Sequence, residues 1–318
     1  MRAFGDRMEM ERRMKMKRPR ARRSPLAPSG SDLVFHVFNT LLILVIFVIL
    51  LWPLWFVLIA SFSDPNAVIN GEVLLLPKGL TLNGYKRMLE YKELWKGYTN
   101  TIFYTVVGTT LNMVLSVCVA YPLSNKEFAL KKPLLVFFMF TMYFSGGLIP
   151  SYLLLKDLHI LNTRWAMILP GAVSVYNCLI IRSYFMNSIP GELKEAAILD
   201  GANSAQYLFR VVLPLSKPVL AVIALYYMVG HWNGYLNALY YIYDFDLYPL
   251  QSVLRELLIS DKMMAAMMTD PELARQAMQT AQAMKYCVVI ASIAPMLLVY
   301  PFVQKHFVKG VMIGAVKG

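Results

Sequence analysis

The densest polar and aromatic set within an apolar run of this sequence is His231, Trp232, Asn233, Tyr235, Asn237, Tyr240 and Tyr241. An amide side chain both donates and accepts hydrogen bonds, and an aromatic face packs on C–H surfaces. A polyhydroxylated ligand needs both. At helical spacing Asn233 and Asn237 share a face, with Tyr240 and Tyr241 one turn on. The same residue types also serve as an interfacial aromatic belt and as hydrogen-bonding groups between helices. That second reading leads for Tyr240 and Tyr241, near the end of the run; for His231, Trp232 and Asn233 both stand. Tyr176 and Asn177 form a smaller set along an earlier run. Arg182 follows them, close enough to the run's end to extend its charge into water, which favours anchoring over ligand binding.

Other chemistry finds no support. Cys118, Cys178 and Cys287 are scattered within apolar runs without metal-ligand spacing, and read as small packing residues. His36, His159, His231 and His306 are not paired by an HExxH motif. No GxxxxGK[ST] phosphate cradle occurs, and no nucleophile–base constellation is evident. The chain reads as a non-enzyme without a cofactor or metal of its own.

The elements that must position the polar set are membrane spans. The chain has 318 residues, 58% hydrophobic and 16% charged, where a soluble domain carries roughly 25% charged residues. Several apolar runs reach the roughly 20 residues that cross a bilayer as a helix. Six spans are expected, near residues 33–60, 99–123, 133–155, 165–186, 215–242 and 283–303, giving an all-α polytopic membrane protein. Gly146, Gly147 and Pro150 should weaken or break the third span, as happens where transporter helices line a cavity.

Basic residues set the expected orientation. Ten of the 31 Lys and Arg residues lie within 1–32, immediately before the first span. That tail reads as a cytoplasmic anchor on anionic lipid rather than a nucleic-acid arm. With an even number of spans, the tail at 304–318 is also cytoplasmic. The first apolar run is too long for a signal-peptide core and should remain as a span. No acidic residue lies inside an expected span, which argues against a secondary carrier that binds a coupling ion or proton.

The loop 187–214 would face the cytoplasm. Ser188 is a candidate N-cap, Pro190 suits a first helical turn, and Glu192 lies near the positive helix end. Gly201 is the expected stop, being the residue that takes a left-handed conformation cheaply. Asn203 with Gln206 predicts a capping box for a second short helix ending before Pro214. Ala196 and Ala197 make one side of the first helix narrow, as suits insertion into a groove. An ordinary connector remains the competing reading.

The string Glu195-Ala196-Ala197, then Asp200-Gly201, then Leu213-Pro214, resembles the EAA signature of membrane subunits of binding-protein-dependent ABC importers. FSGGLIPSYLLLKDLHILNTRWAMILPGAVSVYNCLIIRSYF (144–185), VGHWNGYLNALYYI (229–242), LYPLQSVLREL (247–257) and FVKGVMIGAVKG (307–318) resemble its carbohydrate-uptake branch, from about residue 33 to the C-terminus. The resemblance implies a six-helix transmembrane domain over 33–303, with 187–214 docking into a separate ATPase. It also implies a homologous second permease, an ATPase dimer that binds ATP and Mg, and an extracytoplasmic sugar-binding protein. The implied substrate is an oligosaccharide; relatives take acidic chains such as alginate or galacturonan fragments, or neutral ones.

The loop 244–284 is long enough to hold structure. YPLQSVLRELLI has a helical apolar period, and Asp270 before Pro271 and Glu272 should cap a second helix. Met263, Met264, Met267 and Met268 would form an adaptable apolar patch. The resemblance places the sugar-binding protein against this loop; a lid on the permease itself is the alternative.

Overall fold

The computed structural model describes residues 30–267 and 270–315, which fall into two compact units, 1–55 and 56–318. The basic tail and Met268 lie outside the described residues, as do the side chains of Met263, Met264 and Met267. Every regular element among the described residues is helical. Helix α1 (Gly30–Ser61) carries the longest apolar run, and its side chains from Leu33 to Leu54 stand exposed around the whole circumference. A helix apolar on all sides belongs in lipid. The last turn of α1 belongs to the second unit.

That unit is organised on α4 (Lys92–Ser124), 33 residues long and therefore about 50 Å from end to end. Preceding it are α2 (Pro65–Ile69) and α3 (Asn83–Glu90). After it come α5 (Lys131–Tyr143), α6 (Leu148–Asp157), α7 (Arg164–Ile168) and α8 (Val175–Asn187). The loop helices α9 (Gly191–Leu199) and α10 (Ser204–Tyr207) follow, then a π-helical turn (Leu208–Val212) and α11 (Leu213–Leu215). The chain ends with α12 (Lys217–Trp232), α13 (Tyr235–Tyr241), α14 (Leu250–Met267) and α15 (Pro271–Ala315).

Among the described residues, three helices are individually long and apolar enough to cross a membrane: Asp32–Ser61, Lys92–Ser124 and Ala281–Pro301. Two bent pairs raise the number to five, α5 with α6 (113°) and the segment Ser204–Leu215 with α12 (81°). The six uninterrupted runs of hydropathy are thus not six uninterrupted helices. The third breaks at Phe144–Gly147, as its glycines predict. The fourth divides between α7 and α8, across Pro170 and Gly171. The fifth divides at Asn233–Gly234. At the other end of the chain, α15 runs unbroken through residues 284 and 303, so the second loop helix and the last span are one helix. Asp270 caps it, its carboxylate accepting the Glu272 N–H at 2.9 Å.

Broken helices expose backbone carbonyls, which cost several kcal/mol each in lipid unless satisfied. Here α4 satisfies them. Asn100 Nδ2 donates to the carbonyls of Asp246 (2.7 Å) and Tyr248 (3.1 Å), and Tyr104 Oη donates to that of Leu247 (2.8 Å). Thr101 Oγ1 accepts the Leu250 N–H at 2.7 Å. One turn of polar side chains thereby holds the 3₁₀ turn Phe245–Leu247 and the start of α14.

Three apolar clusters fill the unit. One gathers Tyr104 with α7 and α13 through Ala166, Ile168, Ala238 and Tyr241. A second joins Met88, Leu94, Trp232, Leu254 and Cys287. The third packs Ala120, Ile181, Phe185, Ile223 and Tyr227 at the far end of α4. Cys178 and Cys287 are buried, as expected of packing residues, whereas Cys118 is exposed.

The loop 187–214 and helix α14 meet opposite ends of α4, through Tyr121 and Thr101 respectively. Cysteines placed at Ser204 and at Lys262, in a chain with Cys118 replaced, are therefore expected to react with an impermeant thiol reagent from opposite sides of the membrane. Labelling of both from one side would contradict this arrangement.

Candidate functional site: a capped elbow and a hydrogen-bonded span junction

Helix α9 ends as its sequence predicts. Asp200 is the C-cap and Gly201 follows at φ +73°. The Gly201 N–H donates to Ile198 O (3.0 Å) and the Ala202 N–H to Ala197 O (2.9 Å), the paired bonds of a Schellman motif. Asn203 Oδ1 accepts the Gln206 N–H at 2.8 Å while Gln206 Oε1 accepts the Asn203 N–H at 2.9 Å, completing the capping box. The start of α9 differs from expectation: Pro190 occupies the N-cap, and Ser188 instead terminates α8, its N–H donating to Tyr184 O. The Pro190 ring fixes its φ, no side-chain cap bond is made there, and the Leu193 N–H returns to Pro190 O at 3.3 Å.

The elbow is fastened to the end of α4. Lys194 Nζ lies 3.1 Å from both Glu127 Oε2 and Asn125 Oδ1. Tyr121 Oη donates to Ser204 O (2.9 Å), and Arg182 Nε donates to Leu123 O (3.0 Å). The last of these sets a cation on the negative end of a helix, so Arg182 anchors within the protein as well as toward water. A cavity of about 460 Å³ lies between elbow and α4, bordered by Tyr121, Phe185, Pro190, Ala197 and Tyr207.

Glu195 and Ala196 are exposed, Glu195 at the edge of the cavity, and Ala197 is half-buried against it. Leu213 is half-buried and Pro214 exposed, in the short α11 that turns into α12. Leu199 is 88% exposed, with Ile198 and Phe209 also exposed beside the polar residues. These three apolar residues were not singled out from the sequence. Their signal is their position: large side chains at the end of a short capped helix, where a solvated connector would be polar.

The second constellation lies where α4, α12 and the α7–α8 break meet. Asn112 Nδ2 donates to Ala172 O (2.8 Å) and Gly171 O (3.3 Å). Its Oδ1 is then the acceptor for His231 Nε2 at 2.7 Å, so the imidazole carries its hydrogen there. Gly108 makes the contact possible: a Cβ at this position would lie 2.4 Å from His231 Nε2. About one turn back along α12, Tyr227 Oη meets Ser116 Oγ at 2.7 Å and accepts the Ser174 N–H at 3.3 Å. Gly108, Asn112 and Ser116 escaped sequence reading, although their four-residue spacing on one apolar helix is a usable sign of a contact face.

The candidate ligand residues are not brought together. His231 is spent on Asn112, and Trp232 is buried with Nε1 donating to Ser292 O at 3.0 Å. Both hold helices. Asn233 and Asn237 do not share a helical face, because the helix ends between them. Asn233 is the C-cap of α12, exposed, its Nδ2 donating to Val229 O (3.0 Å). Asn237 is half-buried on α13. Asn177 is buried at the start of α8 and Tyr176 beside it is exposed. Tyr176 and Asn233 are exposed, as are Tyr235 and Tyr240 on α13. Among the described residues no group of three or more His, Cys, Asp or Glu side chains is placed to hold a metal.

A polytopic helical protein with broken spans and a capped elbow bound to the end of α4 has the architecture of a membrane transport subunit. The family model for the inner membrane component of binding-protein-dependent transport systems matches residues 98–313, and the chain belongs to that family. It is 38% identical to the polygalacturonan/rhamnogalacturonan transport system permease protein YtcP of Bacillus subtilis, over 84% of this chain and 92% of that one. Protein LplC of the same organism is 39% identical over 90% and 95% of the two chains. The fold superposes with a TM-score of 0.78 on a chain from the crystal structure of a bacterial ABC transporter involved in the import of the acidic polysaccharide alginate. That match has 32% identity and covers 89% of this chain and all of the other.

Proposed function

We propose that this chain is one of two permease subunits of an ATP-driven importer that carries an acidic oligosaccharide across the cytoplasmic membrane by alternating access. The observation that carries the coupling role is the elbow over 187–214. It is shaped by its own caps, tied to α4 by Lys194 and Tyr121, and leaves Leu199 and Ile198 exposed, Ile198 at the mouth of the cavity. A partner groove that covers Ile198 and Leu199 removes apolar surface from water, and Glu195 at its edge gives the contact an orientation. The sequence holds no phosphate cradle, so ATP and Mg bind on a partner ATPase dimer, and this chain has no catalytic residue.

Both termini lie in the cytoplasm, with the basic tail 1–32 on the inner lipid surface. The six-span domain runs over 33–303, the extracytoplasmic loop 244–284 receives a sugar-binding protein, and the tail 304–318 returns inside. The breaks in the third, fourth and fifth spans supply the hinges. Tyr176 and Asn233 are the path residues with free surface; His231, Trp232, Asn177 and Asn237 shape the wall behind them. The acidic substrate class is drawn from relatives named for polygalacturonan and alginate.

The test is hydrolysis by the purified complex in vesicles, with its binding protein loaded in turn with an oligogalacturonate and a neutral oligosaccharide of equal length. The acidic ligand is expected to raise ATP hydrolysis several-fold over the unloaded binding protein. Stimulation by the neutral ligand alone would overturn the substrate class; none by either, in a complex that transports neither, would overturn the function.

A further inference from the structure

Between α1 and α4 the segment Glu72–Leu82 exposes five leucines. Leu74, Leu75, Leu76, Leu80 and Leu82 are each between 61% and 77% exposed. The segment is nonetheless fixed in place. Val73 is buried at its start. The Asp64 N–H donates to Lys78 O (2.9 Å), and the Thr81 N–H donates to Phe62 O (3.0 Å). The Lys78 N–H donates to Ser63 Oγ at 3.2 Å. These bonds run to the residues that directly follow the last turn of α1, which ends at Ser61. The leucines are therefore held at the level where that span leaves the hydrocarbon, at the end of α4 opposite the elbow.

Two more features mark the same level. Leu58, in the last turn of α1, is exposed and continues the apolar surface toward the loop. Trp95, in the first turn of α4, is half exposed while its Nε1 donates to Leu89 O at 2.9 Å. An amphipathic ring at a span's end is the common marker of the headgroup boundary. Glu72 and Lys78 pair with each other at 3.2 Å; Leu74, Leu75 and Leu76 lie between them, and Leu80 and Leu82 follow Lys78.

We propose that the loop 72–82 inserts its leucines into the bilayer boundary beside α1, with lipid as the occupant of this surface. Interfacial elements bury their apolar side about 5–10 Å into the headgroup and acyl region, a depth that side chains projecting from a span's end reach without moving the backbone. The loop then holds the outer end of α1 to the membrane surface from the side. This inference needs only that α1 spans the membrane and is independent of the substrate and of the coupling elbow.

The experiment uses the assembled complex in lipid nanodiscs. Single cysteines at Leu75 and Leu80, in a chain with Cys118→Ser, carry a fluorophore. Nitroxide placed high on the lipid acyl chain is expected to quench both labels at least threefold more than aqueous iodide does. A label at Glu90, exposed at the end of α3, is expected to show the reverse order. Stronger quenching by iodide at 75 and 80 would overturn the proposal in favour of a solvated loop. Protection from both quenchers would overturn it in favour of a protein partner. The unaltered chain gives an independent reading: a lipid bearing a photoactivated carbene is expected to leave adducts within 74–82. Adducts on α1 with none in the loop would also overturn it.

Discussion

Gly108→Val is expected to give a permease that enters the membrane but loses the junction between α4 and α12. Even the first added carbon would sit 2.4–2.9 Å from three atoms of the His231 ring. The ring must turn away, and the Nε2 bond to Asn112 is lost with it. Overpacking of this kind costs about 1–3 kcal/mol, and a buried polar group left unpaired costs about 1–3 kcal/mol more. Asn112 would still hold the carbonyls of Gly171 and Ala172, so the damage falls on α12 first. The readout is thermal stability of the detergent-purified complex, with subunit recovery alongside. Adding His231→Ala to Gly108→Val should restore part of the loss, because the clash and the unpaired imidazole disappear together, a non-additivity expected of touching residues. Equal melting of Gly108→Val and the unaltered chain would show that the contact carries no weight.

The second large effect is at the elbow. At φ +73° a side chain at Gly201 costs about 1–2 kcal/mol, and a β-branched one suits that region least. Nothing lies within 4 Å of a Cβ there, so the cost is conformational and not steric. The Schellman bonds to Ala197 and Ile198 loosen, and the angle at which α10 leaves α9 changes. Gly201→Val should therefore insert normally yet lose the ATPase, or keep it with hydrolysis no longer stimulated by loaded binding protein. Glu195→Lys tests the exposed charge without touching the backbone and should give the same phenotype. The measurements are ATPase subunits recovered per complex and ligand-stimulated hydrolysis. Normal values for both variants would reduce the elbow to a connector.

Much of the elbow is legible before any coordinates, because its determinants are local. A glycine after Asp200 and an amide pair at Asn203 and Gln206 act within one turn, and spacing alone reports them. The number of spans is less legible. Hydropathy counts apolar residues whether or not their backbone is continuous, so the run at 215–242 looks whole while its helix breaks, and only glycines and prolines announce the breaks within 133–155 and 165–186. The role of His231 is hidden for a different reason. Its partner Asn112 is 119 residues away, and a polar residue in an apolar run looks the same whether it meets a ligand or another helix. The Asn233–Asn237 pair fails because a helical period was assumed across Gly234, where the chain turns. Leu199 carries no local signal, because exposure is a property of the folded surface.

The bonds that α4 makes to loop carbonyls and amides also impose an order in time. A chain is made from its N-terminus, and α4 is complete at Ser124. The groups that Asn112, Tyr104 and Thr101 must meet follow along the chain by 59 to 149 residues. Until the ribosome has delivered them, this helix carries amides and hydroxyls into the bilayer with nothing to bond. The pairing of this helix thus begins only when the chain reaches Gly171 and is complete only when the segment around Leu250 arrives.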